Sequence, residues 1–318
     1  MTSASGVQQT TRPSPLAPRP SYQSMAGLRR KEALTAYLFI APTMLGYLVF
    51  IAGPMVSSLG MSLFEWDIVS KPQFIGLENY AFLIQDPGFR TAFRNTATFA
   101  ALVVSLNLVV ALSLAVALQR NLPTILRYYY RTAFFLPMVT SMASISIVLG
   151  FLFHKELGII NYYLGLLGIP PAPWLTSTSW ALFTIVLATV WKSFGFDLIL
   201  FIAGIQNIPR HLYEAAEIDG ANGWHQFWRI TLPLLSPTIF FAVVVGLISS
   251  FQVFDQAFIM TRGGPGDATR TVVMVIYEDA FATLRMGYGS AIAVVLFLMI
   301  LGMTILQFRV SSKWVHYG

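Results

Sequence analysis

Uncharged, mostly apolar runs follow one another along the chain at 34–64, 95–119, 132–153, 157–191, 230–254 and 286–308. A helix that crosses a membrane needs about 20 such residues, and each run is long enough. The fourth run has to be trimmed, because Gly168, Pro170, Pro171 and Pro173 break it, while its apolar pattern continues through Lys192 and Asp197 to Ala203. The pattern predicts an all-α membrane protein with six transmembrane helices, at about 35–59, 96–118, 132–153, 180–204, 237–260 and 287–308. Residues 1–33 hold no apolar run and are rich in Ser, Pro, Thr and Gln, so a disordered tail is expected there, followed by a transmembrane domain over 34–318. The first apolar run is too long for the core of a signal peptide, so it is read as a retained span.

One long hydrophilic interruption divides the second half, from Pro209 to Pro233. Pro209 suits a first helical turn, and His211–Asp219 can form a short helix in which Ala215 and Ala216 leave a close-packing face beside Glu214. Gly220 permits a sharp turn. Asn222 is a capping residue for a second short helix, whose Trp224, Phe227, Trp228 and Thr231 recur on one face. Pro233 is expected to stop this helix, and Ser236 with Pro237 to open the fifth span.

Composition agrees with the pattern: of 318 residues, 56% are hydrophobic and 11% charged, against about 25% charged in a soluble domain. Six spans place both termini on one side. The tail residues Arg12, Arg19, Arg29, Arg30 and Lys31, with Arg120, Arg127, Arg131, Arg210, Arg229, Arg309 and Lys313, give that face twelve basic residues against seven in the other loops. The richer face is cytoplasmic, which puts residues 209–233 inside the cell. The net charge of +6 reads as membrane-surface anchoring rather than nucleic-acid binding, since basic and aromatic residues do not interleave as a binding patch. The chain has no cysteine, which excludes thiol catalysis and thiolate metal sites.

The 209–233 stretch resembles the EAA loop of ATP-binding-cassette importer permeases. It carries Glu214, Ala215 and Ala216, three residues, Gly220, nine residues, then Ile230, Leu232 and Pro233, with both gaps at the family's lengths. FIGLENY at 74–80, TRGGP at 261–265 and MGYGSA at 286–291 are similar to loops of the maltose and glycerol-3-phosphate type of carbohydrate permease. The resemblance implies a cytoplasmic coupling helix between spans 4 and 5, in a bacterial or archaeal inner membrane. It also implies a second, non-identical permease subunit, two ATPase subunits that bind ATP and Mg²⁺, an external solute-binding protein and a sugar substrate. An interfacial amphipathic helix is the plainer reading of the same residues.

Polar groups within the expected spans are the candidate substrate path. Lys192 sits near the centre of the fourth span, and Asp197, five residues on, is turned roughly 140° away, so the two are poor partners. A charge at that depth needs the bundle interior, a wet cavity or another subunit. Ser249, Ser250, Gln252, Asp255 and Gln256 interleave with Phe251, Phe254 and Phe258, and hydroxyls and amides beside aromatic faces suit a sugar. The same groups can serve as glue between helices. In maltose-type permeases the matching helices supply sugar contacts, which by resemblance points to Ser193, Phe196, Ser249, Gln252 and Asp255, with Lys192.

No phosphate-loop motif G-x-x-x-x-G-K-[ST] occurs, so the chain is not expected to bind or hydrolyse ATP. His154, His211, His225 and His316 are scattered, without metal-ligand or acid–base spacing. A membrane enzyme is disfavoured on these grounds. A stand-alone secondary transporter or channel is the stronger alternative, although neither internal repeats nor broken helices are apparent in the sequence.

Overall fold

A computed structural model describes residues 25–119, 123–312 and 315. Most of the expected tail, together with Arg120, Lys313 and His316, lies outside them. The chain divides into two compact units, residues 1–56 and 57–318. The first contains helix α1 (Met25–Tyr47), a wide π-turn over Leu48–Ala52, and the start of α2 (Gly53–Met61). Residues 25–33, counted above with the disordered tail, are therefore helical. Met25, Ala26, Leu28, Arg29, Arg30, Lys31 and Glu32 are good helix formers, and the apolar pattern does not register them.

In the second unit a two-residue hairpin, β1 (Phe64–Glu65) against β2 (Gln73–Phe74), precedes α3 (Glu78–Gln85) and α4 (Pro87–Leu118). Then come α5 (Thr124–Val139), α6 (Met142–Leu152), α7 (Ile159–Leu166) and α8 (Ala181–Gln206). The chain continues through α9 (Arg210–Ile218), α10 (Gly223–Gln226), a π-turn at Phe227–Thr231, and α11 (Leu232–Phe251). It ends with α12 (Asp255–Thr261), α13 (Val272–Tyr277), a π-turn at Glu278–Ala282, and α14 (Met286–Ser311).

Helix α8 is central, packed on α4, α5, α11 and α12. Lipid is as apolar as leucine, so close backbone approach, rather than escape from water, has to hold such a bundle together. Gly195 provides it: a Cβ there would lie 2.1 Å from the Phe134 carbonyl oxygen of α5. Ala111 and Ala115 let α4 settle against Leu198 and Phe201 of α8 in the same way, and all four are buried. The start of α4 is fixed by Asp86, whose carboxylate accepts from the Gly88 N–H at 2.8 Å, with Pro87 in the first turn.

Three expectations are corrected. The span at 132–153 is not one helix: α5 and α6 meet at a bend of 101°. Pro137 withdraws a backbone donor, Thr140 and Ser141 are extended, and the Thr140 hydroxyl donates to the Pro137 carbonyl at 2.6 Å, closing the broken end. The span at 237–260 also breaks, between Phe251 and Asp255. There the Val253 carbonyl accepts from the Thr271 hydroxyl at 2.9 Å instead of from a helical N–H. The expectation that no helix is broken thus fails twice.

Third, Pro233 does not stop a helix. Helix runs from Gly223 to Phe251, because the π-turn at Phe227–Thr231 widens the backbone just ahead of the proline and absorbs its missing N–H. Ser236 lies inside this helix, not at its start. Its hydroxyl donates at 2.6 Å to the Pro233 carbonyl, the acceptor that Pro237 leaves without its usual donor.

Among the described residues, five helical stretches are long and apolar enough to cross a membrane: Glu32–Met61, Pro87–Leu118, Ala181–Gln206, Gly223–Phe251 and Met286–Ser311. The bent pair α5–α6 passes the same test when taken as one.

Candidate functional site

Two regions hold the candidate residues, and continuous helix joins them. The first is the hairpin of α9 and α10. Gly220 turns it with φ +80°, and no atom lies within 4 Å of where its Cβ would be. The Asn222 side chain caps α10 by accepting from the His225 N–H at 3.0 Å. The Tyr213 and Thr231 hydroxyls meet at 2.9 Å and brace α9 against the second arm. Glu214 and Ala215 are exposed, Ala216, Ile230, Leu232 and Pro233 half-buried. Ile218 (86% exposed), Trp224 (68%) and Trp228 (48%) leave an apolar surface beside the Glu214 carboxylate, with the two indoles packed edge to face at 5.6 Å. Exposed apolar patches of this kind mark surfaces that meet another protein or a membrane.

The second region is a cavity of about 350 Å³ between α4, α5, α8, α11 and α12. Lys192, Ser193, Phe196 and Ser249 of the candidate set line it together. Gln252 and Asp255 do not: Gln252 is exposed in the break after α11, and Asp255 opens α12 on another side. Sequence reasoning placed Lys192 and Asp197 on different faces, and they form no ion pair among the described residues, yet both reach this cavity. It also missed Asn107, Thr189 and Met138 as lining residues. Asn107 had a signal: it is the one amide in the apolar heart of α4, four residues from both Val103 and Ala111 on the buried face.

A chain of hydrogen bonds crosses the cavity wall. The Asn107 amide donates to the Ser193 hydroxyl at 2.9 Å, and Ser193 donates to the Thr189 carbonyl at 2.7 Å. The Gln256 amide donates to the Thr189 hydroxyl at 3.2 Å, tying α12 to α8. The Asn107 Oδ1 is buried and accepts no hydrogen bond in this structure. The wall therefore offers hydroxyls, amides, one ammonium and one carboxylate beside the rings of Phe99 and Phe196. Among the described residues no three His, Cys, Asp or Glu side chains cluster as metal ligands.

A helical membrane bundle with an outlying hairpin and a polar internal cavity is the arrangement of a transport protein. Residues 107–316 match the family described as "Binding-protein-dependent transport system inner membrane component", and the chain belongs to that family. It is a transport component of an inner membrane, not an enzyme. It is 35% identical over 281 residues to the sulfoquinovosyl glycerol transport system permease protein SmoG of Agrobacterium fabrum, covering 88% of this chain and 91% of that one. It is 34% identical over 284 residues to the sn-glycerol-3-phosphate transport system permease protein UgpA of the same organism, covering 89% and 96%. A solved structure of a bacterial alginate ABC transporter in complex with an alginate pentasaccharide-bound periplasmic protein aligns with a TM-score of 0.81 at 25% identity, over 92% of this chain and 98% of that one. Broken helices around a cavity also occur in secondary transporters. The family match removes that alternative.

Proposed function

We propose that this chain is the membrane-crossing subunit of an ATP-driven importer for a sugar or sugar-like solute. It works beside a second permease subunit, with two ATPase subunits on the cytoplasmic side and a solute-binding protein outside. ATP and Mg²⁺ are held by the ATPase subunits. The chain crosses six times, with α5 and α6 together forming the third span and both termini in the cytoplasm. The hairpin over 209–233 then lies inside the cell and is the coupling element.

The observation that carries this reading is the unbroken helix from Gly223 to Phe251. One end is an arm of the hairpin; the other brings Ser249 and Ser250 to the cavity. Its 29 residues span roughly 44 Å. Helix α8 runs back from Lys192 and Ser193 to the hairpin's first arm. Rotation of the hairpin by a docked ATPase is thereby delivered to two cavity walls at once. The breaks at Thr140–Ser141 and Gln252–Phe254 let the outer segments α6 and α12, which pack on each other, move apart from the helices below.

The mechanism is alternating access. ATP binding favours one conformation only if it interacts differently with the two, and Glu214, Ala215, Ala216 and Gly220 form the surface where that preference enters. The cavity's hydroxyl and amide groups replace the sugar's water, and Phe99 and Phe196 supply flat apolar faces for its C–H groups. The sugar class is supported by the relatives' named substrates and by this lining. The test is Glu214→Lys in the assembled transporter: the protein still inserts, and solute uptake and binding-protein-stimulated ATP hydrolysis are lost. Uptake at the unmodified rate would sink the coupling role.

A further inference from the structure

Helices α6 and α12 enclose a groove of about 850 Å³ that is separate from the transport cavity. Its α6 wall is apolar and open: Ile147 is 64% exposed, Val148 53% and Phe151 63%. One end is basic, with Lys155, Arg262 and His154 among the lining groups. The ion pairs among the described residues are Arg270–Glu278 and Arg285–Asp279, so neither Lys155 nor Arg262 is neutralised by one. The Arg262 guanidinium stands 5.9 Å from the centre of the Phe258 ring, which holds it at the groove's end. The His154 Nδ1 accepts the backbone N–H groups of Glu156 and Leu157 at 3.3 and 3.2 Å, which fixes the turn that carries Lys155.

Shape and charge select the occupant. The 11 residues of α6 make a wall about 16 Å long that leads away from the basic end, a length an acyl chain can follow from a headgroup held there. We propose that the groove binds one anionic phospholipid, its phosphate between Lys155 and Arg262 and an acyl chain along Ile147, Val148 and Phe151. A zwitterionic lipid brings its own cation to the same place and gains less. A soluble phosphate would leave the apolar wall unused. Basic pockets between membrane helices select anionic headgroups by this chemistry.

The probe is a nanodisc holding the full chain in equal mole fractions of phosphatidylglycerol and phosphatidylcholine, with retained lipid counted by native mass spectrometry. Each cation beside an anionic headgroup multiplies preference roughly fivefold, so two predict one retained phosphatidylglycerol per chain, favoured about thirtyfold. The double variant K155Q/R262Q alters two exposed side chains and is expected to retain both lipids equally, at an unchanged unfolding temperature. Parity in the unmodified chain, or full preference in the double variant, overturns the proposal. A second measurement separates lipid from protein as the occupant. Phe151→Cys, in a chain without cysteine, is expected to react with a lipid-soluble maleimide in the assembled transporter. Quantitative cross-linking of that cysteine to the second permease subunit would overturn the proposal.

Discussion

Gly220 offers a way to separate strain inside the subunit from contact with a partner. Its φ of +80° disfavours any side chain, at a cost of about 1–2 kcal/mol for an L-residue in the left-handed region. Nothing lies within 4 Å of its Cβ position, so a methyl meets no obstacle, and the turn is exposed, so an indole can point into solvent. Gly220→Ala and Gly220→Trp should therefore cost the isolated subunit the same, about 1–2 kcal/mol, confined to the hairpin. If the turn enters a cleft of an ATPase subunit, the indole fills space the cleft needs and the methyl does not. The assay compares co-purification of the ATPase subunits and solute uptake in both variants, alongside thermal unfolding of the permease alone. Gly220→Ala should retain the ATPases with modestly reduced uptake, while Gly220→Trp releases them at an equal unfolding temperature. Identical behaviour of the two variants in every assay would refute the reasoning.

Other outcomes follow from the packing and the cavity. Gly195→Ala drives a methyl into the Phe134 carbonyl at 2.1 Å and should destabilise the α5–α8 contact by about 3 kcal/mol, read as a lower unfolding temperature in detergent. Tyr213→Phe removes the brace to Thr231 at about 1 kcal/mol and should weaken coupling without lowering permease abundance, read as ATP hydrolysed per solute imported. Asn107→Leu removes a buried acceptor that accepts no bond, together with the link to Ser193; it should leave stability within about 1 kcal/mol while raising the KM for the transported solute. In the loop between β1 and β2 the Ser70 hydroxyl first, and then the Ser70 N–H donating at 2.6 Å, hold the Asp67 carboxyl below its ordinary value. The loop's turn is therefore favoured once pH exceeds the ordinary carboxylate range and is lost as pH falls through the lowered value; carboxyl NMR titration should find Asp67 closer to normal in Ser70→Ala.

The hairpin was legible because its signals are local. Asn222 caps and Gly220 turns by chemistry that needs no distant partner, and both do so in the structure. The breaks were illegible for the opposite reason. The uncharged runs 132–153 and 230–254 continue through Thr140 and Val253, and what stabilises each break is a hydroxyl whose role only the fold reveals: that of Thr140 itself in one case, and Thr271 from eighteen residues away in the other. Pro233 misled because a proline after a short helix reads as a stop, unless a π-turn precedes it, and no residue pattern in FWRIT announces that turn. The cavity was half legible. Lys192, Ser193, Phe196 and Ser249, picked as polar or aromatic departures within spans, line one cavity; Gln252 and Asp255 do not line it, because the helix assumed to be continuous ends at Phe251 and the chain turns away there.

The central claim is that the cytoplasmic hairpin sets the state of the cavity through the helix from Gly223 to Phe251. The most direct measurement labels Ser249→Cys, in this cysteine-free chain, with a membrane-impermeant thiol reagent added outside sealed vesicles that hold the assembled transporter. Labelling should rise when non-hydrolysable ATP is trapped inside, and that rise should vanish when Glu214→Lys is added. Labelling that is the same with and without nucleotide, or a response that survives Glu214→Lys, would contradict the account.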